Sequence, residues 1–209
     1  GTSNVNGHLG VELIYAGYNG GLLVTGKAAK PSYIYIKNNT VEIRDAAHLW
    51  GKNNLAAQQE IREEVRKELS DQNFRIATIG PAGEHLVRNA GVSHDFYHHA
   101  ARMGMGAVMG SKNLKAIAVR GTGAPGYPDS PKLFELITRF HHEGRLKKAQ
   151  DRRWGHNISI ARRYYDTTEG IKNKQLGWDP ICDKTNSLIL EQEYKVWNEG
   201  CNMCHIGCK

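Results

Sequence analysis

The chain has 209 residues, 40% of them apolar and 23% charged, and its formal net charge is +7. These are the proportions of an ordinary globular protein, and no apolar run reaches the roughly 18 residues that a membrane helix needs. Because no known nucleic-acid-binding motif accompanies the positive charge, we expect neither a membrane span nor a nucleic-acid partner.

The two ends of the chain predict a fragment of a longer protein. The sequence begins at Gly1 without an initiator methionine and ends at Lys209, one residue after a cysteine. The first residues have neither the basic start nor the apolar core of a signal peptide, so we expect a cytoplasmic protein.

Residues 20–46 have the alternation and turn signals of β structure. A strand is predicted at Leu22–Thr25, after two glycines. A second strand is predicted at Tyr33–Ile36, and a turn at Asn38–Asn39 leads into a third strand at Val41–Arg44. We expect a hairpin or a meander here.

The next elements are a helix and two strands. Asn53 or Asn54 can cap a helix that runs from about Leu55 to Leu69. Its apolar residues recur every four positions, as on one face of a helix. The two strands are predicted at Arg75–Ile79 and Leu114–Arg120.

A stretch rich in glycine and proline follows, and it predicts a linker with a domain boundary near Gly123. Residues 1–123 would form a β-rich domain, and residues 124–209 the beginning of a helical one. The fold class we predict is therefore α+β. A single apolar stripe predicts the first helix after the linker; it comprises Leu133, Leu136, Ile137 and Phe140.

Basic residues are concentrated between positions 145 and 163. The simplest interpretation is a solvated face or a contact surface for a missing part. The alternatives are a docking patch for an acidic electron carrier and a site for an anionic substrate.

Three cysteines in the last nine residues, Cys201, Cys204 and Cys208, have the spacing Cys-x2-Cys-x3-Cys. On a helical turn these positions share one face, so the three thiolates would converge. An iron–sulfur cluster is the leading interpretation, with Cys182 or a later cysteine as fourth ligand. A zinc site that includes His205, covalent c-type haem and buried free thiols are the alternatives.

The segment from Ala100 to Lys112 is unusually rich in glycine and methionine. Small residues allow a ligand to approach the backbone, and Arg102 and Lys112 add positive charge, as a phosphate-bearing cofactor would require. A tight packing turn with methionines as core filler explains the composition equally well.

Three histidines, His94, His98 and His99, are three to four residues apart or adjacent. This spacing could place two of them on one helix face, and such a pair is more often on the surface than a metal ligand. We assign them no role.

The sequence resembles the aldehyde ferredoxin oxidoreductase family. The resemblance rests on Gly83–Arg88, on Arg102–Ile117 with its Gly-Ala-Val-Met-Gly-Ser-Lys string, on Ala16–Tyr18 and on the cysteine triplet. It implies a tungsten or molybdenum ion held by two pterins on a β-rich base domain. It also implies a magnesium ion that joins the pterin phosphates and a [4Fe–4S] cluster close by.

The resemblance also implies roles for particular residues and partners. Cys201, Cys204 and Cys208 would hold three irons, and Asn4 would lie at the magnesium–phosphate site. Electrons would pass to ferredoxin or an iron–sulfur subunit, in an oligomer or complex. Aldehydes are the first substrate class; the alternative is the acyl-CoA substrate of a tungsten subunit of benzoyl-CoA reductase. No catalytic residue can be named. The residues expected at the cofactor are Asn4, Gly7, Arg102, Met103, Gly104 and Gly106.

Overall fold

The fold is known from a computed structural model. The described residues are 1–69, 73–147, 189–194, 196–197 and 199–204. Contacts between Cα atoms divide the chain into two compact units, Gly1–Gly126 and Tyr127–Lys209. None of the helices among the described residues is long and apolar enough to cross a membrane.

The first unit is built on a six-stranded mixed sheet with the order β2-β1-β6-β3-β4-β5. β1 and β6 are parallel, and the other neighbours are antiparallel. Together with the helices, this sheet confirms the predicted α+β class. The strands are β1 Ser32–Lys37, β2 Thr40–Asp45, β3 Arg75–Thr78, β4 Val92–His94, β5 His98–Ala100 and β6 Leu114–Arg120.

Among the described residues of this unit, four helices accompany the sheet, and a short 3₁₀ turn, Ala47–Leu49, precedes the longest of them. That longest helix begins where the side chain of Asn53 accepts a hydrogen bond from the Ala56 amide at 2.9 Å, so the predicted cap and helix are confirmed. The helices are α1 Leu9–Tyr15, α2 Asn54–Leu69, α3 Pro81–Glu84 and α4 Met105–Ser111.

Apolar residues pack on both faces of the sheet. On one face, α2 covers β1 and β6 with Ile61 and Val65, which are fully buried. On the other face, α1 and the chain around Leu22 and Val24 pack over Ile36. The sheet is therefore held from both sides. The four-residue repeat of α2 predicts the first of these contacts, whereas the sequence predicts no helix at α1.

The strand predicted at Leu22–Thr25 is wrong, because this stretch has no regular structure and Leu23 is 87% exposed. Glycines with left-handed backbone angles flank it, Gly21 at φ +100° and Gly26 at φ +73°. Such angles interrupt an extended strand on both sides. The hairpin predicted over Tyr33–Arg44 is confirmed by the antiparallel pairing of β1 and β2.

In the second unit, helix α5 spans Ser130–Lys147, where the apolar stripe predicts a helix. The Asp129 side chain accepts a hydrogen bond from the Lys132 amide at 2.9 Å and caps it. A π-helical turn follows at Leu190–Tyr194. Most of the basic cluster and Cys182 lie outside the described residues.

Candidate functional site

Two segments that the sequence assigns to a cofactor lie side by side in the first unit. The Arg102 amide donates a hydrogen bond to Ser3 Oγ at 3.3 Å. A Cβ atom on Gly1 would lie 3.1 Å from Met103 Cβ. Residues 1–3 therefore lie against the start of the glycine–methionine segment, although nearly 100 residues separate the two in sequence. Asn4 and Arg102 are both exposed there.

Gly7 is glycine because of the histidines beneath it. Its φ is +114°, and an added Cβ would lie 2.4 Å from His94 Cε1 and 2.8 Å from His98 Cδ2. No other residue fits that space with that backbone conformation. The backbone at Gly7 is thus in direct contact with two imidazole rings.

Packing within the protein accounts for the glycines of α4. A Cβ on Gly104, where φ is +69°, would lie 2.2 Å from the Arg88 carbonyl oxygen, and one on Gly106 would lie 2.4 Å from that of Gly91. A Cβ on Gly110 would lie 1.9 Å from the Gly83 carbonyl oxygen. Gly106 also uses its amide internally, since it donates to the Ala90 carbonyl at 2.9 Å.

The two cations of this segment lie at opposite ends of α4. Arg102 precedes the helix, and Lys112 follows it after seven helical residues, a rise of about 10 Å. Lys112 Nζ donates to the Gly26 carbonyl at 3.0 Å and closes a loop there. Arg102 therefore lies beside the N-terminal segment, whereas Lys112 contacts the loop at Gly26. The methionines differ too: Met109 packs on the apolar core, whereas Met103 is 66% exposed.

The interpretation of the histidines as a surface pair on a helix is wrong. His94 and His98 lie opposite each other on the strands of a hairpin, β4 and β5, and each is 2% exposed. Their rings stack with centroids 5.0 Å apart. His94 Nε2 lies 2.6 Å from the carbonyl oxygen of Asn6. His99 points outward on the same strand and bonds Ser93 Oγ at 2.8 Å.

Asp95, at the tip of this hairpin, is a buried carboxylate surrounded by basic side chains. It faces Arg62 at 3.3 Å, Arg75 at 3.9 Å and His94 Nδ1 at 3.3 Å. Burial opposes its ionisation, but the hydrogen bond from His94 and the charge of Arg75 outweigh burial and lower the pKa of Asp95. These contacts tie the hairpin tip to α2 and β3.

A second charged pair is buried between α3 and β6. Lys115 Nζ donates to Glu84 Oε1 and, at 2.8 Å, to the Lys52 carbonyl, and both side chains are at most 1% exposed. Glu84 also accepts from the Gly51 amide at 2.8 Å. Burial lowers the pKa of Lys115, and the carboxylate of Glu84 works against that shift. The pair joins three chain segments directly behind the glycine–methionine segment.

Two of the three clustered cysteines lie on one turn in the second unit. The Cys204 amide donates to the Cys201 carbonyl at 3.0 Å, and both thiols are free and half-buried. Met203 has φ +54°, so this is a turn with a left-handed residue rather than a continuing helix. Cys208 and His205 lie outside the described residues. The turn can present two thiolates to one object.

Among the described residues, the group of His, Cys, Asp and Glu side chains close enough to hold a metal ion is His48, Glu60 and Glu64. These side chains already pair with each other or with Lys52 and lie at the surface. We assign no metal to this group.

Comparison with known proteins identifies the class. Residues 1–121 match the N-terminal domain of aldehyde ferredoxin oxidoreductase. This match covers more than half of the chain, so the chain belongs to the aldehyde ferredoxin oxidoreductase family.

Particular relatives agree with this. The tungsten-containing aldehyde ferredoxin oxidoreductase of Pyrococcus furiosus is 38% identical over 214 residues, covering 99% of this chain and 34% of that protein. The enzyme of the same name from Thermococcus kodakarensis is 36% identical over the same shares. The WOR-like subunit of an aliphatic sulfonate oxidoreductase from Pyrococcus furiosus is 38% identical over 93% of this chain and 32% of that protein.

A solved structure resembles the chain as well. It is the active site complex BamBC of benzoyl coenzyme A reductase with 1,5-dienoyl-CoA, in which one chain matches with a TM-score of 0.76 and 26% identity. The match covers 99% of this chain and 33% of that one. The chain thus spans about a third of the length of the relatives it matches.

Proposed function

We propose that this chain is part of a tungsten-pterin oxidoreductase, or of a molybdenum counterpart, and that residues 1–126 supply the base on which the pterins bind. The observation that carries the proposal is the contact between residues 1–3, which precede Asn4, and the Arg102 segment. Family membership and the tungsten named in its relatives support the same metal–cofactor class.

The side chains present fit such a cofactor. Arg102 offers a guanidinium, whose planar set of donors suits phosphate oxygens. Asn4 offers a carboxamide oxygen of the kind that magnesium prefers. Both are exposed on adjoining segments. When bound, a tungsten bis-pterin supplies two-electron chemistry, and the protein's part is to bind and orient the group.

The other predicted cofactor residues shape the segments that carry Asn4 and Arg102. Gly7 lets the backbone approach His94 and His98 closely, and Met103 exposes a polarizable side chain beside Arg102. Gly104 and Gly106 hold α4 against the chain at Arg88 and Gly91, which fixes where Arg102 emerges. Their contribution to cofactor binding is therefore placement of the segment.

For the second unit we propose a [4Fe–4S] cluster held by Cys201, Cys204 and Cys208, with a fourth ligand not assigned. The cluster would move electrons singly to ferredoxin or to an iron–sulfur subunit in a cytoplasmic complex. The turn that carries two free thiols supports two of these ligands.

Aldehydes are the first substrate class in this proposal, with carboxylic acids as products, because the relatives from two archaea bear that name. Reduction of an aromatic acyl-CoA is the second candidate, favoured by the likeness to BamBC. Activity of the anaerobic protein with aldehydes and viologen dyes, compared with an aromatic CoA ester, separates the two.

The first experiment is elemental analysis of protein purified without oxygen. Tungsten or molybdenum near one per chain and about four irons would support the pterin–cluster enzyme. Zinc without iron would support a zinc-stabilised module, and a single haem iron would support a c-type cytochrome. Either of the last two results would overturn the proposal.

A matched pair of variants tests the phosphate role of Arg102. We expect Arg102→Ala to lower the tungsten content severalfold, because a phosphate loses its bidentate donor. Lys112→Ala removes one positive charge at the other end of α4 and should leave the tungsten content unchanged. Equal loss in both variants would indicate a general charge effect instead.

A further inference from the structure

The segment from Asn4 to Gly7 has no regular secondary structure of its own. Asn4, Val5 and Asn6 are exposed. A segment of this kind has no internal hydrogen bonds to define its position. Its conformation must therefore come from the residues on which it rests.

His94 supplies the contact in the middle of this segment. The Asn6 carbonyl oxygen lies 2.6 Å from His94 Nε2, and because a carbonyl oxygen can only accept, Nε2 is the donor of this hydrogen bond. The next residue, Gly7, lies against the same ring. The bond falls between Asn4 and Gly7, the two N-terminal residues that we propose at the cofactor.

The imidazole of His94 is itself fixed on its other sides. It is 2% exposed, it stacks on His98 at 5.0 Å, and its Nδ1 faces the carboxylate of Asp95 at 3.3 Å. Asp95 is held by Arg62 at 3.3 Å. A continuous series of contacts thus links Arg62 in α2, through Asp95 and His94, to the Asn6 carbonyl of the exposed segment.

We propose that His94 is a positioning residue: through its hydrogen bond to the Asn6 carbonyl it fixes Asn4–Gly7 in the conformation that receives the pterin phosphates. The inference rests on the proposed function. It assigns His94 no contact with the cofactor. Groups one step removed from a metal site orient the groups that bind, and their loss typically costs about 10–100-fold in metal affinity.

Two substitutions separate the hydrogen bond from the packing. His94→Phe keeps a ring against Gly7 and His98 but cannot donate, whereas His94→Gln loses the ring and keeps an N–H near the Asn6 carbonyl. Both are made in the holoprotein purified without oxygen. The readouts are the rate at which a nonspecific protease cleaves within residues 4–8, followed by mass spectrometry, and the tungsten or molybdenum retained after gel filtration.

We expect His94→Phe to speed cleavage within residues 4–8 by about tenfold or more, since proteolysis reports local opening. Metal retention should fall severalfold. His94→Gln should restore much of both. Tyr33→Phe, which removes a hydrogen-bonding group 3.2 Å from Glu64 elsewhere in the unit, should leave cleavage within residues 4–8 unchanged.

A wild-type cleavage rate and metal content in His94→Phe would overturn the inference, and equal damage in the Phe and Gln variants would assign the effect to ring packing. Should His94→Phe fail to fold, Gly7→Ala keeps the His94 side chain but forces the segment and the ring apart, because the new Cβ would lie 2.4 Å from His94 Cε1, and it should show the same two losses. Absence of both tungsten and molybdenum from the wild-type protein would overturn the proposed function instead, while the cleavage data would still test the His94–Asn6 bond.

Discussion

Two regions of the first unit are held together in different ways. In the apolar region, formed by β1, β6 and α2, large side chains such as Tyr33, Ile61 and Phe74 fill the space between helix and sheet. In the glycine–histidine region, formed by residues 1–7 and 81–111, backbones touch through glycines, and the buried side chains His94, Asp95 and His98 are polar.

This difference has consequences for how each region tolerates change. An apolar core responds to volume, and conservative changes in it cost little. A region of touching backbones and buried charges is less tolerant. A buried charge that loses its partner is strongly destabilising, and an atom added between touching backbones has no space to occupy. The candidate cofactor segments belong to the second kind of region.

The largest expected effect comes from breaking the buried ion pair behind α4. Lys115→Met leaves the Glu84 carboxylate buried without its cation, which should lower the free energy of unfolding by about 3–5 kcal/mol. Adding Glu84→Gln should recover more than half of the loss, because a neutral amide can still accept from the Gly51 amide. Urea unfolding of the double-mutant cycle measures this, and additive losses would contradict the pairing.

A glycine pair provides the next test. In Gly110→Ala the new Cβ would lie 1.9 Å from the Gly83 carbonyl oxygen, so α3 and α4 must separate, at a cost of about 3 kcal/mol. Gly10→Ala, in α1, is the control, because no heavy atom lies within 4 Å of its Cβ. It should be neutral or stabilise by up to about 1 kcal/mol. Equal melting temperatures for the two variants would refute close backbone packing.

The sequence predicts the apolar region well and the glycine–histidine region poorly, for physical reasons. The four-residue spacing of Ile61 and Val65 and the cap at Asn53 define α2 without reference to the rest of the fold. The hairpin β4–β5 turns through Asp95 and Phe96 at φ +45° and +69°, and Phe is not a residue that signals such a turn. Because His94 and His98 are polar residues at buried positions, these strands lack the alternation of apolar and polar residues by which a strand is predicted.

The candidate site divides in the same way. Resemblance to the family assigned Asn4 and Arg102 to one cofactor, but no local pattern indicated that residue 3 would lie on residue 102. The role of His94 depends on the same long-range contact. A polar Ser-His-Asp sequence before an unusual turn was the available signal, and it is too common to have identified a buried support.

A smaller effect is expected at Asp95, and it depends on pH. The lowered pKa of Asp95 means that the unfolded chain binds a proton first as pH falls, so its contribution is present above the ordinary value of 3.8 and is lost as pH falls through the folded pKa. Asp95→Asn should cost about 2 kcal/mol at neutral pH and flatten this acid loss. Stability measured from pH 7 downward checks the slope.

Asp45 is the control for that experiment, because its pKa is also lowered, mainly by a hydrogen bond with Lys30, at the exposed surface. Salt screens surface charges far more than buried ones. The effect of Asp45→Asn should therefore disappear in high salt, while that of Asp95→Asn persists. An Asp95 effect that salt also abolishes would mean that the hairpin tip is open to water.

The smallest expected effect is in the apolar region, at the hydroxyl of Tyr33. Tyr33→Phe keeps the ring and loses one hydrogen bond to Glu64, so it should cost about 1 kcal/mol. Burial, with the Glu64 carboxylate, raises the pKa of Tyr33 to about 12 against the opposing effect of Arg44. The unfolded chain therefore ionises first, and stability should fall as pH rises from about 10 to about 12. Tyr33→Phe should remove that alkaline loss, and a variant that loses stability as steeply as the wild type would show that another group is responsible.

A cost much above that of the Asp95 variant would also contradict the contrast between the regions, because a polar atom at the edge of an apolar core would then matter as much as a charge in the glycine–histidine region.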